Sequence, residues 1–145
     1  MKKCLFFIGV LLALLLMAGC GEEETAPNAN EEDEIIAVVE KNLEATENED
    51  IEVVADTLHQ ENPEYEAALE ETKMLFEQFD MEYELEILEV TVGEEEANVE
   101  FSQKTMAVDN KDFEDNMISG FHELRKHEGD WKIYQTEIID VEPLN

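Results

Sequence analysis

The spacing of hydrophobic positions changes twice along this chain. Leu5 to Met17 is an apolar run broken only by Gly9, and Gly21 to Asp33 then shows no apolar period at all. From Glu34 apolar residues return at steps of three and four. Ile36, Val39 and Leu43, with Ile35 and Val38 beside them, make one helical stripe. Asp50 suits the N-cap of a second, short helix that carries Ile51, Val54, Ala55 and Leu58 on one side. Asn62-Pro63 predicts the start of a third, because Pro at the first helical position gives up only an N–H that has no helical partner. Its stripe is Tyr65, Leu69, Thr72, Phe76 and Phe79.

After Asp80 the period becomes two. Met81, Tyr83, Leu85 and Ile87 alternate with Glu82, Glu84 and Glu86, the pattern of a strand with one wet face. The alternation slips at Ile87-Leu88 and resumes as Leu88, Val90 and Val92, which predicts a β-bulge. Gly93 to Glu96 predicts a hairpin turn, followed by a strand carrying Ala97, Val99, Phe101, Gln103 and Thr105. A polar loop over Asp109 to Asp112 leads to a third strand, Asn116 to Lys126. The turn Glu128-Gly129-Asp130 precedes a fourth from Trp131 to Asp140, and Leu124, Trp131 and Ile133 are expected in the core. Three helices followed by an antiparallel meander predict an α+β domain, helices packed on one face of a sheet of about four strands.

The N-terminus reads separately. Lys2 and Lys3 followed by the apolar run form a secretory leader, too short to favour a spanning helix. The sequence Leu16-Met17-Ala18-Gly19-Cys20 resembles the lipobox of bacterial lipoproteins, with Met17 where Leu is usual. That resemblance implies cleavage before Cys20, lipidation of its sulfur, and a chain anchored to the cell membrane on its extracytoplasmic side. At least two acyl chains hold such an anchor stably, where one holds only marginally. The expected organisation is a signal peptide over 1–19, a lipidated Cys and acidic disordered tether over 20–33, and one domain over 34–145.

Charge narrows the partners. The 145 residues hold 39 Asp+Glu against 9 Lys+Arg, a formal charge of -30, which excludes a nucleic-acid binder because phosphates are repelled. Loss of the leader removes Lys2, Lys3 and Cys4 and no acid. With Cys20 lipidated, no thiol remains for a disulfide, a nucleophile or a metal.

The helix–polar turn–helix centred on Glu49-Asp50-Ile51, and the closing stretch Leu124-Arg125-Lys126-His127-Glu128-Gly129-Asp130-Trp131-Lys132-Ile133, resemble the nuclear transport factor 2-like superfamily (SnoaL-like domains, cystatin-like fold) over about Glu34 to Val141. The resemblance implies a curved sheet wrapped as a cone around the helices, with a pocket at its wide end. Members include enzymes, ligand binders and non-catalytic partner modules.

Strand parity then nominates polar residues for such a pocket. If Val99 and Phe101 face the helices, so do Gln103 and Thr105; if Ile118 and Leu124 do, so does His122; if Trp131 and Ile133 do, so does Gln135. Convergent polar groups in an apolar pocket mark a binding site. Other patterns fail. His122 and His127 are five apart on a strand and point to opposite sides, so they form no zinc pair. Asp109 to Gly120 lacks the glycine and the terminal acid of a calcium loop. The family's isomerases carry a Tyr on the first helix, whereas no Tyr occurs between Ile35 and Asp50 and Asn42 stands near that position. Glu123 faces away from His122, and Ser102 and Ser119 have no matching triad.

The sequence therefore predicts no catalytic, cofactor or metal residues. It predicts an anchored, non-catalytic module that uses Gln103, Thr105, His122 and Gln135 to bind a small molecule, or that partners an envelope protein. The alternatives are an acid–base enzyme on the same pocket and a structural or homodimerising protein.

Overall fold

The structure, a computed structural model, describes residues 29–108 and 112–144. The leader, Cys20, the tether up to residue 28 and most of the Asp109 to Asp112 loop lie outside the described residues. Three helices, α1 (Ala29–Glu47), α2 (Ile51–Thr57) and α3 (Tyr65–Gln78), precede four strands, β1 (Met81–Val92), β2 (Glu96–Ala107), β3 (Asn116–His127) and β4 (Asp130–Pro143). The strands form one antiparallel sheet in the order β1-β2-β3-β4. The predicted α+β organisation is the observed one. No helix among the described residues is long and apolar enough to cross a membrane.

Two helix starts differ from the sequence reading. α1 begins at Ala29, so the last residues assigned to the tether are helical. Glu31 and Glu32 lie in the first turn, where the positive end of the helix dipole favours acids. Glu31 also pairs with Lys126 of β3 at 2.8 Å, tying this turn to the sheet. α3 begins at Tyr65 rather than at Pro63. Asn62 is engaged elsewhere: its Oδ1 accepts from Glu64 N and its amide donates to the Tyr134 carbonyl of β4. Asp50 caps α2 as predicted, accepting from Val53 N at 3.2 Å.

The α1–α2 connection is a Schellman turn. Glu49 sits at φ 56°, with Glu49 N donating to Thr46 O and Asp50 N to Ala45 O. The β3–β4 turn places both Glu128 (φ 54°) and Gly129 (φ 95°) in the left-handed region. That is the type I′ geometry whose twist suits a two-residue hairpin.

Two apolar clusters hold the layers together. Ile35 and Val39 of α1 pack on Ala97, Val99, Leu124, Trp131 and Ile133 of the sheet, all buried. Ala45, Val54 and Leu69 join the three helices to one another.

Register decides which side chains meet the helices. The β1 bulge falls between Ile87 and Glu89, where the alternation slips. β4 carries two more irregularities. Glu123 pairs with Gln135 but Leu124 with Ile133, and Ser119 pairs with Asp140 but Gly120 with Ile138. Tyr134 and Ile139 are the extra residues, and each reverses the parity of the strand after it. At the second irregularity β4 comes so close that a Cβ on Gly120 would lie 2.2 Å from the Glu137 carbonyl oxygen. Gly120→Ala is expected to destabilise the fold by about 3 kcal/mol, because the obstacle is backbone. Urea unfolding measures this, and an unchanged midpoint would contradict the register.

Candidate functional site

Rows of paired residues cross the helix-facing side of the sheet. Tyr83, Thr105 and Asn116 form one row; Leu85, Gln103 and Ile118 the next; Ile87, Phe101, Gly120 and Ile138 the third; Val99, His122 and Thr136 the fourth. Over these rows, beneath Asn42, Leu43 and Thr46 of α1, lies a cavity of about 390 Å³. Leu75 and Phe113 also line it. The volume falls within the range of small-molecule sites, about 300–1,000 Å³.

Gln103, Thr105 and His122 all line this cavity. Gln135 does not. The extra residue Tyr134 turns it away, and it borders a second cleft with His59, Asn62 and Tyr65. The same shift brings Thr136 and Ile138 into the cavity wall. Parity counted from Ile133 cannot find them, since apolar residues fall on both parities of β4 and do not locate the bulge. Tyr83 and Asn116, also missed, follow the inward parity of Met81 and Ile118.

The polar groups are held in place. His122 stacks on Phe101 with centroids 4.4 Å apart and planes 15° from parallel. Its Nδ1 lies 2.8 Å from Thr136 Oγ1. Burial pushes the imidazole down to about 4, so the ring is neutral at neutral pH. Gln103 donates to Thr105 Oγ1 at 3.2 Å. Asn42 donates to Thr57 Oγ1 at 2.6 Å, which commits its amide to α2. Tyr83 is pushed up to about 12, first by burial and then by the charge of Glu47. Asn116 Oδ1 is buried without a hydrogen-bond partner among the described residues.

Chemically, the site offers donors and acceptors on apolar walls. Among the described residues no carboxylate lines it. The nearby groove between α1 and β1, about 420 Å³, is by contrast flanked by Glu40, Glu44 and Glu47.

The unfolded chain protonates a histidine near pH 6.5, whereas the folded protein holds His122 neutral down to about pH 4. The contribution of His122 to stability is therefore complete above pH 6.5 and is lost as pH falls toward 4. Relative to His122→Gln, the wild-type protein is expected to lose on the order of 2 kcal/mol across that interval. Denaturation at a series of pH values measures the difference, and a constant difference would contradict a half-buried ring held neutral.

Comparison with known proteins supplies the family. No curated protein matches the sequence. Among solved structures, a protein of unknown function with a cystatin-like fold from Nostoc punctiforme is 15% identical with a TM-score of 0.68, covering 80% of this chain and 94% of that one. An NTF-2 like protein of unknown function from Shewanella oneidensis is 14% identical with a TM-score of 0.64, covering 74% and 98%. A ketosteroid isomerase-like protein from Erwinia carotovora atroseptica is 20% identical with a TM-score of 0.64, covering 78% and 99%. Identities this low establish a shared fold, the nuclear transport factor 2-like one. A family model described as "Anti-sigma-I factor RsgI9, C-terminal domain" matches residues 37–144, and with the greater part of its length so matched the chain belongs to that family.

Proposed function

We propose that this protein is a membrane-anchored, extracytoplasmic lipoprotein whose domain binds a small, uncharged, largely apolar molecule without transforming it. The buried Asn116 Oδ1, beside a cavity lined by Gln103, Thr105, His122, Thr136 and Tyr83, carries the binding part of this reading. An unpaired buried acceptor costs about 1–3 kcal/mol, which a ligand donating a hydrogen bond recovers. Leu43, Leu75, Phe101, Phe113, Ile118 and Ile138 supply apolar contact. Among the described residues no fixed charge lines the cavity to match an ionic ligand, and the acidity of the whole chain disfavours anions.

Acid–base catalysis fits these residues less well. A general base needs its proton within hydrogen-bond reach, usually with a second group to orient it. His122 is oriented by a hydroxyl rather than a carboxylate, and Asn42 is turned toward Thr57. The family takes its description from the C-terminal domain of an anti-sigma factor, a name that denotes a regulator, and this favours binding over turnover. The anchor rests on Cys20 and the apolar leader before it.

Two experiments test the reading. Nile red, a neutral apolar probe, is expected to bind saturably at one site, and Thr136→Trp at the cavity wall to weaken it at least about tenfold, or 1.4 kcal/mol. Equal fluorescence titrations for the two proteins would place the probe elsewhere. In cells, radiolabelled palmitate is expected in the wild-type chain and absent from Cys20→Ala; equal labelling of both would remove the anchor.

A further inference from the structure

Outside the cavity, three side chains distant in sequence converge. His59 follows α2, Glu61 is two residues on, and His127 closes β3. One ligand atom from each lies within 4.8 Å of the other two. The imidazoles of His59 and His127 meet edge to face, with centroids 5.0 Å apart. His59 is buried, His127 half-buried and Glu61 exposed.

The two histidines stand on fixed backbone. His59 N donates to the Ile133 carbonyl at 2.8 Å, and Leu58 forms a parallel bridge to Ile133, so this segment lies along β4. The Asn62 amide fastens the end of the same turn to Tyr134. His127 is set by its pairing with Asp130 across the type I′ turn. The exposed carboxylate of Glu61 remains free to swing.

We propose that His59, Glu61 and His127 form a site for a borderline transition-metal ion, zinc being the best match. Two imidazoles and one carboxylate suit zinc and its neighbours in the first row, while calcium and magnesium prefer oxygen ligands throughout. Ligands around a tetrahedral zinc lie about 3.3 Å from one another, given metal–ligand bonds near 2.0–2.1 Å. Closure from the observed spacing is within the swing of the Glu61 side chain and small ring rotations. Water fills the fourth position from the adjoining cleft of about 300 Å³, which His59, Glu61, Glu95 and Glu96 border.

One contact opposes the ion and is weak. Glu61 N donates to His59 Nδ1 at 3.3 Å. Metal on Nδ1 displaces that contact, and metal on Nε2 requires the opposite tautomer. Arg125 and Lys126 border the same cleft, but their charges are engaged: Arg125 pairs with Glu123 at 2.6 Å and Lys126 with Glu31 at 2.8 Å. The site shares no lining residue with the ligand cavity. Its physical effect is to reinforce the hold of the α2–α3 connection on the β3–β4 hairpin, alongside the His59 N–Ile133 bond and the Asn62 amide.

The test uses the full chain in detergent, in a Cys4→Ser/Cys20→Ser background so that no thiol competes. Calorimetric titration with zinc, in excess calcium to saturate the acidic surface, is expected to show one ion per chain and a raised melting temperature. His127→Gln and Glu61→Gln, both accessible enough to leave the fold intact, are expected to weaken zinc at least about tenfold and about threefold. His59→Gln is expected to match His127→Gln if it folds, and the other two variants decide if it does not. Zinc affinity unchanged in His127→Gln and Glu61→Gln, or no saturable binding in calcium, would overturn the site.

Discussion

β4 meets β3 with two residues more than an uninterrupted ladder accommodates, and the character of the helix-facing surface depends on where those residues fall. Before Tyr134 the inward positions of β4 are Trp131 and Ile133, which fill the core against Ile35, Val39 and Leu124. After it they are Thr136 and Ile138, which line a cavity. The bulge converts one strand from core to binding wall. Gly120 makes this geometry attainable, because only a residue without a side chain lets the Glu137 carbonyl approach so closely. Backbone of β4 occupies the place a side chain on Gly120 would take, in the row between Phe101 and Ile138.

How much of this was legible in the sequence follows from the same strands. The bulge in β1 was readable because Glu82, Glu84 and Glu86 keep one face polar, so the apolar pair Ile87-Leu88 exposes the slip. Those in β4 were not. Tyr134, Ile138, Ile139 and Val141 put apolar residues on both parities, and no single phase fits them. Parity counted from Ile133 therefore puts Gln135 in the cavity in place of Thr136. On β2 and β3 parity runs unbroken up to the relevant residues, and Gln103, Thr105 and His122 lie where it puts them. The meeting of His59 with His127 is a tertiary fact; it depends on Leu58 bridging Ile133, a pairing no local pattern encodes.

The acidity belongs to the surface rather than to the cavity. Lys41, Lys104, Arg125, Lys126 and Lys132 each hold a carboxylate, and Asp56 is kept below the usual carboxylate range by its hydrogen bond to Lys41 and the charge of Lys132. Such exposed pairs contribute about 0–1 kcal/mol each. Their structural importance lies in placement: Lys126 ties the start of α1 to β3, and Lys132 ties the end of α2 to β4. The carboxylates left over repel one another and anionic partners, and that field reaches the cavity wall, where the charge of Glu47 adds to burial in pushing Tyr83 up.

The register of β4 is the claim on which the cavity, its residues and its proposed occupant rest together. Nuclear Overhauser contacts across the β3–β4 ladder test it most directly. Leu124 is expected to face Ile133, Glu123 to face Gln135 and Gly120 to face Ile138, with Ile138 methyl contacts to Ile118 and His122. A ladder continuing without interruption from Leu124–Ile133, so that Gly120 faces Glu137, would contradict it.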